Sequence, residues 1–320
     1  MLLRFCAALT AAFIALCGTA SAQGNKPIRL IVAFPPGGPV DFVARLLVDP
    51  LSRDLGQPVI VENRAGANGS IAAELVAKGP ADGSVIFLTS SGAVVINPSL
   101  YPNLPYDPMK DFTPVSRVIN SDTVLVVHPS NTSSDAAAFA EASRGLSQPV
   151  PIGSAGIGST THLALELFQG ASRASLLHVP YKGAAPVITD LINNQVGGFF
   201  GDLPGIITHI QGGKLKPIGI AAPKRHALLP DVKTFAELGF PGTESNNWYA
   251  MVVRTGTPRA FIDKLNAALK TALTTEPVQS KLINAGAVPD PSTPEEMTEV
   301  MTRDTEKFAR IIREKQIKVE

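Results

Sequence analysis

Cysteine is scarce in this chain, and its placement is informative. The 320 residues contain two, Cys6 and Cys17. Both fall in an N-terminal stretch that reads as a secretory leader. From Gln23 onward there is none, which excludes a disulfide framework, thiol catalysis and a Cys-ligated metal site together. Excess charge is missing too. The chain has 28 Lys and Arg against 27 Asp and Glu, and Arg4 is the one charged residue of the leader, so the remainder balances to zero. That leaves no nucleic-acid footprint and no polybasic patch for a membrane. Beyond the leader no apolar run reaches the ~20 residues a transmembrane helix needs.

Catalytic signatures are also absent. No G-x-S-x-G motif is present, so an α/β-hydrolase nucleophile turn is not indicated. The histidines are His128, His162, His178, His209 and His226. None stands in an H-x-x-x-H or H-E-x-x-H spacing, so no zinc site is expected. A remote alternative is an exported serine hydrolase using Ser154 or Ser159. It is weakened because no acid is placed to orient His162. The expectation is a protein without catalytic residues, metal or cofactor.

The leader runs from Met1 to Ala22. Arg4 supplies the positive start, Phe5 to Cys17 the short apolar centre, and Ala20-Ser21-Ala22 a small-x-small cleavage site. A lipid anchor on Cys17 is the rival reading, and Leu16 just before it is the wrong size. The rest predicts an α/β chain. Ile28–Phe34 reads as a buried strand, stopped by Pro35-Pro36-Gly37-Gly38-Pro39, with Asp41 capping the helix that follows. Val59–Glu62 and Val85–Thr89 are the next strands, with a helix from Ser70 between them. This is a βαβαβ unit and the mark of a parallel doubly wound sheet. Residues 97–111 read as a long ordered loop. Thr123–His128 opens a second alternation with strands at 151–153, 176–179, 197–201 and 217–221. Trp248–Val253 is a last strand, followed only by helices. The pattern predicts lobe I from residues 23–124 and 249–320, and lobe II from 125–248, joined by two crossing strands.

Ligands in open α/β sheets sit outside the carboxyl ends of the strands. Three strand-to-helix loops stand there. Phe34–Asp41 has two glycines for close backbone approach and a following helix whose free amides form an anion site. Asp41 by itself reads first as a helix cap. Gly153–His162 carries three glycines and four hydroxyls: Ser154, Ser159, Thr160 and Thr161. It is the strongest chemical signal in the chain, and a capped helix with a glycine turn is its bland alternative. The glycine order G-x-x-G-x-G is neither a Walker loop nor a dinucleotide fingerprint. His162 reads as a packed residue. Glu62–Ser70, Ser90-Ser91-Gly92, Tyr181-Lys182-Gly183 and Gly201-Asp202 are weaker signals of the same kind.

Read in order, these loops resemble one family. The matching stretches are FPPGGPVDFVAR (34–45), VENRAGANGS (61–70), INPSLYPNLPYDPMKDFTPV (96–115), GSAGIGSTTHLALELF (153–168), HVPYKGAAPVITDL (178–191), GGKLKPIGIAAPKRHALLPDVKTFAELGFPG (212–242) and GTPRAFIDKLNAAL (256–269). They are similar to the Bug-type periplasmic receptors of tripartite tricarboxylate transporters. The resemblance implies a type II periplasmic-binding-protein fold that closes over a small carboxylate, held by backbone amides, hydroxyls and ordered waters. It implies a monomeric receptor that delivers ligand to membrane transporter subunits, or alternatively docks on a membrane sensor kinase. Carried over, the site is Phe34, Gly37, Gly38 and Asp41 on one side and Ser154, Gly158, Ser159 and Thr160 on the other, with Ser90, Gly183 and Asp202 as further members. The chain departs from the family pattern at Ala65, Asn68-Gly69-Ser70 and Thr160-Thr161.

Overall fold

The computed structural model describes residues 26–318. The leader, with Cys6 and Cys17, lies outside the described residues. Strand β1 (Ile28–Val32) feeds through the Pro-Gly loop into helix α1 (Pro39–Leu55), then β2 (Val59–Asn63), α2 (Ser70–Ala77) and β3 (Val85–Ser90). β1 lies parallel to both β2 and β3. Its sequence is nearly all apolar because helices cover both faces. Leu30 and Val32 face one core cluster while Ile31 faces the other. Helix α1 starts with Pro39, whose missing N–H would be unpaired there anyway. It ends at Gly56 in the left-handed conformation, φ 73°. Asp41 is therefore not the cap. Gly38 occupies that position and Asp41 sits in the first helical turn.

Residues 97–111 are less of a loop than expected. A π-type turn at Gly92–Ile96 leads into two short helices, α3 (Asn97–Leu100) and α4 (Pro108–Asp111). The strand expected at Thr123 begins much earlier: β4 runs from Phe112 to Val127. The second α/β unit follows, with α5 (Ala136–Arg144), β5 (Val150–Ser154), α6 (Thr160–Ser172), β6 (Leu176–Pro180), α7 (Ala184–Ile192), β7 (Gly198–Asp202), α8 (Leu203–Gln211) and β8 (Lys216–Ile220). The chain returns through β9 (Asn246–Arg254), α9 (Arg259–Thr274), α10 (Val278–Asn284), β10 (Ala287–Pro289) and α11 (Pro294–Glu314). α11 opens with a Thr293/Glu296 capping box and buries Met297, Met301 and Phe308 against the first sheet.

The strand order is β2-β1-β3-β9-β4-β7-β5-β6, with β10 and β8 also on β4. β4 belongs to both sheets. Up to Asp122 it pairs antiparallel with β9, and from Thr123 onward with β7 and β8. The handover at Asp122/Thr123 is the covalent seam between two packed bodies. Each has a buried cluster on both faces of its sheet. Fully burying a Leu, Ile or Phe side chain contributes roughly 1.5–3 kcal/mol, so each body has a core of its own. Among the described residues no helix is long and apolar enough to cross a membrane.

Candidate ligand-binding cleft

The two bodies touch across the ends of their strands. Asn68, on the loop before α2, donates to the Gly158 carbonyl at 2.8 Å and to Asn97 Oδ1 at 2.9 Å. A Cβ on Gly158 would lie 2.2 Å from Leu100, and one on Gly183 2.6 Å from Pro35. Both glycines have positive φ, 74° and 112°. A side chain there would be strained locally and would also push the bodies apart.

Two adjacent chambers lie between the bodies, sharing Phe34 and Ala155 as wall. The outer one holds about 230 Å³ and is bounded by Gly66–Gly69, Tyr101, Ile157 and Pro180–Gly183. The inner one holds about 30 Å³, room for one water-sized or carboxylate-sized group. Its wall is chemically distinctive. Gly38, Pro39 and Val40 begin α1; Ser159, Thr160 and Thr161 begin α6; Ala184 begins α7; Asp202 precedes α8. Four helix N-termini thus meet at one small cavity. Each carries unpaired amides and a partial positive charge of roughly +0.5. No lysine or arginine lines this inner chamber. An anion placed there would meet backbone amides and helix dipoles and no cationic side chain.

Of the expected residues, Phe34, Gly38, Ser90, Ser159, Thr160 and Asp202 line the inner chamber, and Phe34 and Gly183 the outer one. Gly37, Asp41, Ser154 and Gly158 line neither. Gly158 serves the contact between the bodies instead. Asp41 is locked: its Oδ2 accepts from the Gly37 amide (2.9 Å) and Arg45 Nε (2.8 Å), and its Oδ1 from Asn63 Nδ2 (2.9 Å). Burial pushes its carboxyl up, but Arg45, Gly37 and Asn63 outweigh this and hold it below its ordinary value. Asp41 shapes the loop and lines neither chamber.

Ser154 is fully buried, with its Oγ 2.6 Å from His178 Nε2. This Ser–His pair, 24 residues apart, was invisible in the motif spacing. It is no nucleophile, because Ser154 lines neither chamber. His178 stacks on His162 with ring centroids 3.8 Å apart. His162 Nδ1 accepts from the Gly158 amide at 3.1 Å, which leaves Nε2 as donor toward Glu166, 3.4 Å away. Burial, with His162 beside it, pushes His178 down to about 4. Ser159 is the cap of α6, accepting from the His162 amide at 3.2 Å and donating to the Gly156 carbonyl at 2.7 Å. Its Oγ also lies 2.8 Å from Thr161 Oγ1, which accepts from the Ala155 amide. The hydroxyls and imidazoles brace this loop.

One polar group at the base of the inner chamber had no signal in the sequence. Asn247, at the start of β9, accepts from Ser91 Oγ (2.9 Å) and donates to Asp202 Oδ2 (2.8 Å). Tyr249 donates to the same oxygen at 2.8 Å. In sequence the Asn246-Asn247 pair before the apolar run WYAMVV has the character of a turn.

This arrangement agrees with the comparisons. The family described as tripartite tricarboxylate transporter family receptor matches residues 43–317. Protein BugT of Bordetella pertussis is 35% identical, over 94% of this chain and 94% of its own. Among solved structures, Rpa4515 of R. palustris with adipate is 31% identical at a TM-score of 0.89, covering 92% of this chain and 99% of that one. MatC of Rhodopseudomonas palustris with bound malate is 29% identical at 0.85, covering 89% and 98%. The fold is that of the periplasmic binding proteins, and the agreement runs from the first helix to the last. By that breadth of match the chain belongs to the tripartite tricarboxylate transporter receptor family, whose members bind solutes and catalyse nothing.

Proposed function

We propose that this chain is an extracytoplasmic receptor for a small aliphatic carboxylate, delivering it to a transporter of the tripartite tricarboxylate type. The observation that carries the reading is the meeting of four helix N-termini at one carboxylate-sized chamber. One carboxylate enters the inner chamber, and the remainder of the ligand occupies the outer one. Lobe I (23–124 and 249–320) and lobe II (125–248) close on it about β4 and β9. Closure is favoured because the ligand touches both lobes, so it binds the closed form more tightly than the open one. The relatives with adipate and malate support the aliphatic di-acid class.

The test is thermal unfolding of the purified protein with a panel of di- and tricarboxylates, acidic amino acids and aromatic acids. A ligand at about a hundred times its Kd raises the unfolding midpoint by roughly 5 °C or more. If no member of the panel stabilises the protein at about millimolar excess, the carboxylate reading fails.

A further inference from the structure

Asp202 is the odd group in an anion site. It is buried at the end of β7, directly before α8, and its side chain does not cap that helix. Its Oδ2 accepts two hydrogen bonds, from Tyr249 and Asn247, which fix the carboxyl group in place. Its Oδ1 has no partner among the described residues. Thr123, its register partner on β4, also has an unpartnered buried hydroxyl. An unpaired carboxyl oxygen sealed from solvent is costly as part of an anion and much less so when the group carries a proton, and this carboxyl group belongs to the wall of the inner chamber.

A carboxylate drawn into the inner chamber by the helix N-termini would lie beside Asp202, which forms part of its wall. Two ionised carboxylates in contact repel, and such a pair retains one proton between them. We infer that Asp202 is protonated in the ligand complex, beside the ligand carboxylate, so that capture takes up one proton from solvent. This rests on the carboxylate reading above. The surroundings fit it. Burial pushes the Asp202 carboxyl up to about 6. The titratable group in hydrogen-bond contact is Tyr249, whose hydroxyl burial and Asp202 push well above its ordinary value. The other contacts are neutral: Asn247 from β9 and Thr123 from β4. Asp41, on α1, is already engaged with Arg45. No lysine, arginine or histidine pairs with Asp202 among the described residues.

The test is titration calorimetry of the protein with adipate and, separately, malate, from about pH 6 to pH 8, in buffers of different ionisation enthalpy. The expected result is uptake of about one proton per ligand near pH 8 and a Kd that rises about tenfold per pH unit. Asp202→Asn places an amide donor at the same point, and it should bind with no proton uptake and no pH slope. Wild-type binding without uptake overturns the inference. So does affinity that rises with pH, which would make Asp202 an acceptor for a ligand hydroxyl or ammonium. The wild-type proton count decides the matter even if the variant does not fold. If neither acid binds, the same titration is made with the panel member that stabilises the protein most, and only if none does so do the carboxylate reading and this inference fail together.

Discussion

The turn into α1 is built from proline and glycine around one locked carboxylate, whereas the turn into α6 is built from hydroxyls and two stacked imidazoles. Both end at the same chamber. In the first, Asp41 ties Gly37, Arg45 and Asn63 together. In the second, Ser154, Ser159, Thr161, His162 and His178 tie one another and the loop backbone. Opposite compositions therefore perform one task, holding a helix N-terminus rigidly toward the inner chamber. Preorganised dipoles attract an anion without the reorganisation a flexible cation needs. The hydroxyl-rich loop looked in sequence like the ligand's hand. In the fold it is mostly its wrist.

The largest effect comes from breaking the contact between the two bodies. Gly158→Ala places a methyl against Leu100, where the ideal Cβ lies 2.2 Å away. Closure should fail and affinity fall about a hundredfold, near 3 kcal/mol. The unfolding midpoint should shift only by the local cost of a positive φ, about 1–2 kcal/mol. Leu100→Ala in the same chain removes the obstruction and should recover much of the affinity. If calorimetry shows no recovery, Gly158 acts through loop strain and not through closure.

How much of this was legible follows from where each signal is local. The βαβαβ unit is legible because β1 is an apolar run broken only by Arg29 and set between punctuating prolines. The first half of β4 is not. Pro114, Ser116, Arg117 and Asn120 interrupt its hydrophobic pattern, and their partners lie far away in sequence: Ser116 with Ser292, and Arg117 and Asn120 with Asp290. Gly38 and Ser159 are legible as helix starts. Ser154 misleads, because a serine in a glycine loop looks exposed while strand alternation turns it inward against His178. The starts of α7 and α8 carry single-residue signals, Gly183 and Asp202, and their convergence with the other two is a property of the closed sheets alone.

Next in size is a pH effect in which two buried groups oppose each other. Asp202 is raised from 3.8 to about 6. The native state therefore keeps a proton that the unfolded chain has lost, and this stability is full below about pH 4 and lost as pH rises through 6. His178 is lowered from 6.5 to about 4. Its contribution is full above 6.5 and lost as pH falls toward 4. The Asp202 effect is on the order of 3 kcal/mol, and that of the partly exposed His178 is discounted to about 2 kcal/mol. The wild-type profile between these limits should be nearly flat. Asp202→Asn should tilt it upward with pH and His178→Gln downward. Urea midpoints across this window check both signs, and two unchanged slopes would sink the assignment.

The smallest effect separates the two turns themselves. Ser159→Ala removes the cap of α6, with a cost of about 1 kcal/mol, or about 2 °C in midpoint. Asp41→Asn keeps an accepting oxygen for Gly37 and Arg45 but turns a donor toward Asn63 and gives up a charge beside Arg45, also on the order of 1 kcal/mol. Their effects on ligand should differ. Asp41→Asn removes a negative charge near the chamber, so affinity for a carboxylate should hold or rise slightly. Ser159→Ala loosens the loop that carries the Thr160 and Thr161 amides, so affinity should fall a few-fold, by about 1 kcal/mol. Equal losses in both variants would mean that each side chain touches the ligand, and that the two turns are not alternative ways of presenting backbone.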